Sequence, residues 1–377
     1  MTNPLSPEQK QLRLLEKLTY DNTRLRSLNK KLLRQGGFAF DEVLEEIRGL
    51  LNESKITPFA VGVSKPSKIK PTAKKNHCEI AALVLSDFHL SEVINDVEVN
   101  GVNKYNSIIC ANRLWEAIQS AVKIIKLHQS LYTIEELWIP LLGDLIAGTI
   151  HPELELSNDL SDPSAVVLCS RLLQIALLEL KTLGIPIRLD CIVGNHSRTT
   201  LKMPTKRVWQ TNYDWLIYEV VSDYFKDDPQ INFNIHTGYI SIVKKYGFNF
   251  ALLHGIDVKV NKTEALEDRI RAIFDDKAYR DSAGLTGQTF DQIIIGHLHT
   301  PTLTEKLIVN GSILGQSELG VAWRLRPVSA QQILFGISSK HPRTWAYNID
   351  VSNIRNEDAN NPMVGYSKQF LKKYRRA

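Results

Sequence analysis

The sequence predicts an α/β fold in which layered sheets pack against helices, and three observations lead there. Short apolar runs recur from residue 79 onward, in "IAALVLSDFH", "ELWIPLLGDL", "IRLDCIVGNH", "FNFALLHG" and "DQIIIGHLH". Continuous runs of that length fit strands buried on both faces. Helical stretches, 106–127 and 165–183, separate the early runs. Later segments such as "INFNIHTGYISIVKKYG" alternate apolar and polar residues loosely and predict hairpins towards the C-terminus.

Four regions follow from composition. Residues 1–52 read as a helical arm. Ser6 caps a first helix, Pro7 suits its first turn and Gln9 completes a capping box. Leu12, Leu15, Leu18, Leu25, Leu28 and Leu32 form a broken apolar stripe that Gly36 and Gly37 terminate. A second helix follows Asp41, with Val43, Leu44, Ile47, Leu50 and Leu51 apolar. Such an arm either docks a protein partner or packs on the chain's own main domain, and the sequence fits both. Residues 53–77, with "SKPSKIKPTAKKN", read as a basic linker. Residues 78–350 read as the main α/β domain, and 351–377 as a basic C-terminal tail.

With 377 residues, 43% apolar and 23% charged, the composition is that of a globular protein. No run reaches the roughly 18 apolar residues that span a bilayer, so no membrane partner is expected. The polar N-terminus lacks an apolar signal core, which predicts a cytoplasmic protein. Cys78, Cys110, Cys169 and Cys191 are widely spaced and read as reduced core thiols. The net charge of +5 conceals an acidic middle between basic ends. Basic ends suit either nucleic-acid contact or solvated linkers.

Each of the five apolar runs ends in candidate metal ligands. They are Asp87 and His89, Asp144, Asn195 with His196, His254, and His297 with His299. Sites in open α/β sheets form at the carboxyl ends of strands. Imidazole, carboxylate and amide oxygen together suit borderline or moderately hard divalent ions. A carboxylate bridging two such ions supports in-line displacement at phosphorus. Any one of these short motifs arises by chance; all five in order, each after an apolar run, do not. His128, His236 and His341 lack that context and read as solvated or hydrogen-bonded residues.

The series Asp87-x-His89, Gly143-Asp144, Gly194-Asn195-His196, His254-Gly255 and Gly296-His297-x-His299 resembles the calcineurin-like metallophosphoesterase superfamily. The resemblance spans roughly residues 80–300. It implies a β-sandwich with helices on both sides and metals at one edge. It implies one ion on Asp87, His89, Asp144 and His299, and a second on Asp144, Asn195, His254 and His297, with Asp144 bridging. His196 then binds no metal but meets the scissile phosphate and assists the leaving oxygen. Two divalent ions are expected as cofactors, manganese first, with iron, zinc or magnesium as alternatives. The stretches "GNHSRTTLK", "TNYDWLIYE" and "IVNGSILGQSE" are similar to phosphoesterases of tailed bacteriophages, often described as repair exonucleases. For a phage-encoded chain the compartment is the host-cell cytoplasm.

The sequence departs from those patterns in three places. Ser197 follows His196 where many relatives have an acidic residue, so another group must orient His196. "GDLIAGT" stands where protein phosphatases carry GDxxDRG, which argues against a phosphoprotein substrate. Ala147 occupies the position at which repair nucleases often place a histidine, and His151 is the candidate to turn back towards His196.

After His196, Arg198, Lys202, Lys206 and Arg207 precede Trp209, Tyr213 and Trp215. The aromatics read as a helix packing on the core, and Arg198 as a phosphate clamp. The leading expectation is a metal-dependent hydrolase acting as a DNA nuclease, in which water activated at the paired ions attacks in line. The alternatives are a phosphatase or phosphodiesterase of small nucleotides, and a non-catalytic scaffold subunit.

Overall fold

The computed structural model describes residues 77–255, except 203 and 205, and 290–375, except 323, 325, 326, 328 and 359. The expected helical arm and nearly all of the linker lie outside the described residues.

Eleven described strands form two sheets. The first has the order β11-β10-β1-β2-β3-β4, built from β1 (Cys78–Val84), β2 (Thr133–Leu141), β3 (Ile187–Cys191), β4 (Ile231–Ile235), β10 (Gln331–Ser338) and β11 (Ala346–Asp350). β1 to β4 run parallel, while β10 and β11 close the sheet as an antiparallel hairpin. The second has the order β5-β6-β7-β9-β8, built from β5 (Ser241–Lys245), β6 (Phe248–Leu253), β7 (Gln292–Ile295), β8 (Thr302–Leu303) and β9 (Leu307–Val309). β6, β7 and β9 are parallel, with antiparallel strands at both edges.

Alternation along β1 explains its unbroken apolar run. Ile80, Ala82 and Val84 face the second sheet, where they join Trp138, Phe335, Phe250, Leu252, Ile294 and Ile308. Ala81, Leu83 and Leu85 face the helices instead. Both faces of β1 are therefore core, and side chains on either face leave water. Trp138 and Phe250 meet edge to face across the sandwich, ring centroids 5.1 Å apart, and each such fully buried large side chain contributes roughly 1.5–3 kcal/mol.

Helices link the parallel strands. α1 (Ser107–Leu131) begins where the Asn106 side-chain oxygen Oδ1 accepts from the Ile108 and Ile109 amides. α2 (Pro152–Ser157) is one short exposed turn after His151. α3 (Asp162–Leu180) ends through a 3₁₀ turn at Gly184, whose φ of 69° is left-handed. The stretch Asp162–Leu183 is long and apolar enough to cross a membrane, yet 83% of that window is buried inside the protein, as a core helix should be. α4 (Tyr213–Tyr224) packs on α3, α5 (Glu318–Ala322) is short, and α6 (Pro362–Tyr374) packs on α1 and α3. The segment read as a basic tail thus carries a packed helix, with Met363, Val364, Phe370 and Leu371 buried.

Two expectations need correction. "INFNIHTGYISIVKKYG" is not one hairpin: β4 pairs in parallel with β3 in the first sheet, and the chain crosses to the second before β5 pairs with β6. Alternation reports a half-buried strand but not which sheet receives it. Cys110, Cys169 and Cys191 are buried free thiols, whereas Cys78 is exposed at the start of β1.

Candidate metal centre

Five strand ends deliver the candidate donors. Asp87 and His89 follow β1, Asp144 follows β2, Asn195 and His196 follow β3, His254 follows β6, and His297 and His299 follow β7. The first two loops extend the parallel pairing of their strands. The Asp87 amide donates to Gly143 O at 3.0 Å, His89 N to Asp144 O at 3.0 Å and Leu90 N to Leu145 O at 3.1 Å. The His297 amide then donates to the Asp87 carboxylate, at 3.0 Å to Oδ1. Backbone strain concentrates here: Asp87, His89, Asp144, His297 and His299 have φ of 55°, 47°, 53°, 63° and 57°. Left-handed non-glycine residues cost of order 1–3 kcal/mol each and persist where surrounding structure enforces them, often at functional sites.

The side chains fall into two trios. Asp87, His89 and His299 form one and Asp144, His254 and His297 the other, with the donor atoms of each trio within 4.8 Å of one another. In the first, His89 Nε2 and His299 Nε2 face each other at 3.1 Å, and His299 Nε2 lies 3.3 Å from Asp87 Oδ1. In the second, His254 Nε2 lies 3.0 Å from both Asp144 Oδ2 and Asn195 Oδ1. Donors about 2.0–2.2 Å from one ion, at octahedral to tetrahedral angles, stand about 3–3.5 Å apart. The observed spacings match.

The Asp144 carboxylate supports the same conclusion. Asp144 Oδ1 accepts the His196 amide at 2.7 Å. Asp144 Oδ2 is buried without a hydrogen-bond partner; His254 Nε2 is at ion-pair distance but not in hydrogen-bond alignment. That oxygen faces the cluster with the His254 ring as its cationic neighbour, and a divalent cation held there would meet the same carboxylate charge. His254 is oriented by Nδ1, 2.7 Å from Leu142 O, which leaves Nε2 directed at the cluster.

The charges agree with this geometry. Burial pulls the His254 ring down, but the Asp144 carboxylate outweighs it and raises the ring to about 10. Burial likewise opposes charge on His299, and its hydrogen bond to Asp87 raises it. Burial, then the neighbouring His254, lowers His297 to about 4. Burial and then His196 hold His89 well below the usual imidazole value. Each carboxylate thus draws positive charge to its own trio.

The remaining site residues lie around the trios. The His196 ring packs edge-on against His89, centroids 4.5 Å apart, and its Nδ1 lies 3.0 Å from Ala147 O. That backbone carbonyl is the orienting group that Ser197 does not supply. His151 precedes α2, exposed, with its ring 5.9 Å from that of His196. Arg198 donates to the carbonyls of Asn195, Thr200 and Leu201, bracing its own loop with three of its five N–H groups. Lys202, Lys206 and Arg207 are exposed on that loop. Tyr213 and Trp215 are buried in the helical core, with Trp209 packed against it. His128 stacks on Trp345, and His236 Nε2 lies 2.8 Å from Asp190, both remote in role from the centre.

Sequence reasoning missed Asp214. Its carboxylate is fully buried beneath the loops of Asp144 and Asn195. The only signal was an acidic residue in the first turn of a helix, which ordinarily means favourable helix-dipole placement.

No protein-family model and no curated protein matches the chain. Solved structures similar to it include an archaeal phosphodiesterase, at 13% identity over 72% of this chain and 100% of that one, TM-score 0.30. A zinc complex of Vps29 from Entamoeba histolytica gives 12% identity, 72% and 99% coverage and a TM-score of 0.28. A dimetal phosphatase from Danio rerio gives 11%, 72% and 98%, with a TM-score of 0.30. These likenesses are low, and the chemistry rests on the donor geometry. Fold and site together define an α/β sandwich with helices on its flank and two candidate divalent-metal sites at one edge.

Proposed function

We propose that this chain is a two-metal phosphoesterase that hydrolyses phosphodiester bonds, acting on DNA as a nuclease, with manganese as the preferred ion. The observation that carries the reading is the pair of donor trios, with Asp144 Oδ2 directed at His254 in one and His196 beside the other. Asp87, His89, Asp144 and His299 would hold one ion, and Asp144, Asn195, His254 and His297 the second, with Asp144 common to both sets. When bound, two such cations neutralise phosphoryl oxygens and activate water as the nucleophile.

The chain's own groups do the rest. With Nδ1 committed to Ala147 O, His196 offers Nε2 as the atom that gives a proton to the leaving oxygen. Arg198 has two N–H groups beyond those bonded to its loop, enough to contact one phosphate. His151, its ring 5.9 Å from that of His196, would line the approach to that ring; burial holds the His196 ring below the usual imidazole value, and the nearby His299 and His151 add to that. Exposed Lys202, Lys206 and Arg207 on the same loop, and the basic ends of the chain, support a polyanionic strand as substrate. The sequence similarity to phage phosphoesterases points the same way.

The test is a panel of labelled single- and double-stranded oligonucleotides and small chromogenic phosphate esters, each with Mn²⁺, Mg²⁺, Zn²⁺ or Fe²⁺. Metal-dependent cleavage of DNA is expected, reduced about 10²–10⁴-fold in His196→Ala with metal content retained. Hydrolysis of small esters alone, with no salt-sensitive DNA binding, would replace the nuclease by a small-ester phosphodiesterase. Absence of turnover with every ion would leave the scaffold reading.

A further inference from the structure

Asp214 takes four hydrogen bonds on one buried carboxylate. Oδ2 accepts from the Asp144 amide at 2.9 Å and the Gly194 amide at 2.8 Å. Oδ1 accepts from the Leu145 amide at 3.0 Å and from Ser197 Oγ at 2.6 Å. Two donors belong to the loop after β2 and two to the loop after β3. These loops carry Asp144 and Asn195, both proposed ligands of the second ion. Each oxygen accepts one bond from each loop, so neither loop can shift without breaking a bond on both.

The start of α4 holds that carboxylate in place. Asn212 caps the helix by accepting the Asp214 amide at 2.8 Å, and its Nδ2 donates to Gly194 O at 2.8 Å. The Tyr213 amide donates to Ser197 O at 2.7 Å. Trp215, Leu216 and Ile217 then seat the helix in the core. The first turn of α4 is thus tied to the loop after β3 by backbone and side chain alike, and the helix behind it is rigidly packed.

We infer that Asp214 is a positioning residue that sets the separation of Asp144 from Asn195 and so determines whether one ion can be shared between them. It touches neither substrate nor ion. The inference rests on the metal-centre reading above. In Asp214→Asn one oxygen becomes an NH₂ group that meets N–H or O–H donors instead of accepting from them, so the two loops lose their common acceptor while side-chain volume is kept.

The experiment is Mn²⁺ titration calorimetry on the full chain, with thermal melting recorded for every variant. Wild type is expected to bind two ions. Asp214→Asn is expected to weaken one of them by about 10–100-fold, as loss of a partner behind a ligand does, and the other far less. Ser197→Ala removes one of the four bonds and shifts the same ion in the same direction by less; it gives the reading if Asp214→Asn does not fold. Val221→Ala is the control for destabilisation alone. Val221 is fully buried in the same helix, and its truncation lowers the melting temperature while leaving both affinities at wild-type values. Wild-type affinities in folded Asp214→Asn would overturn the inference, as would an equal loss in Val221→Ala. A wild type that binds no ion would overturn the metal centre itself, and is told apart because the failure precedes any substitution.

Discussion

Substituting Gly143 by alanine tests how tightly the two central loops are fitted. Gly143 has φ of +86°, and a Cβ built there would stand 2.1 Å from Gly194 N, 2.6 Å from Gly194 Cα and 2.7 Å from Val193 C. All three are backbone atoms, so none can rotate away. Ordinary contact begins near 3.4 Å, so the loop after β3 must recede by about 1.3 Å. Two costs follow: about 1–2 kcal/mol for alanine in the left-handed region, and about 1–3 kcal/mol for overpacking a close-packed site. The expected loss is about 2–5 kcal/mol of stability. The displacement also parts Asp144 from Asn195, and a misplacement of about 1 Å at an active site costs on the order of 10²-fold in rate. Urea unfolding reads the first effect, and Mn²⁺ calorimetry the second, as at least a tenfold weaker ion. Gly184→Ala separates conformation from crowding. Its φ is +69° with nothing within 4 Å of the added Cβ, so it should lose only about 1–2 kcal/mol and keep its metal affinity. A Gly143→Ala protein within about 0.5 kcal/mol of wild type, with unchanged Mn²⁺ binding, would refute the reasoning.

Three further outcomes are expected. Ions that bind only the folded chain stabilise it, by about 2.7 kcal/mol per site at a free concentration 100 times Kd; chelation should therefore lower the melting temperature, and an unchanged melt contradicts the centre. Burial raises the pKa of Asp190, but hydrogen bonds from His236, Trp138 and Asn234 outweigh it and hold the carboxyl below its usual range. Its stabilisation is therefore present above the unfolded pKa of about 3.9 and lost as pH falls through the folded value, so Asp190→Asn should flatten the acid limb of stability against pH, and superimposable limbs would contradict this. Arg198→Ala should lose about 1–3 kcal/mol by urea unfolding, the net of three half-exposed bonds to carbonyls; no loss would show that the brace is idle.

Most of the donors were legible in the sequence because of how this fold buries its strands. A strand covered on both faces must be apolar throughout, so the first polar residues after it, such as Asp87 after "IAALVLS", mark the sheet edge where side chains reach water or ligands. Tyr213 and Trp215 were read as part of a helix packing on the core, and both are buried in α4. Asp214 was not legible. Its partners Gly194 and Asp144 lie 20 and 70 positions away, and its donors are mostly backbone amides, which every residue possesses and no motif records. Ala147 escaped notice as the partner of His196 because only its carbonyl is used. The phosphate role of Arg198 was read from its charge, while its bonds to Asn195, Thr200 and Leu201 depend on a loop conformation that residue type does not dictate. The crossing between β4 and β5 was hidden because an edge strand shows the same alternation in either sheet.

The central claim is that the two trios and Asn195 hold a pair of ions, and anomalous scattering from a crystal grown with Mn²⁺ tests it most directly. The account predicts two peaks about 3.5–4 Å apart, one contacted by Asp87, His89 and His299 and the other by Asn195, His254 and His297, with Asp144 Oδ2 reaching both. A single peak, or peaks elsewhere on the surface with Asp144 Oδ2 turned to a hydrogen-bond donor, would contradict it.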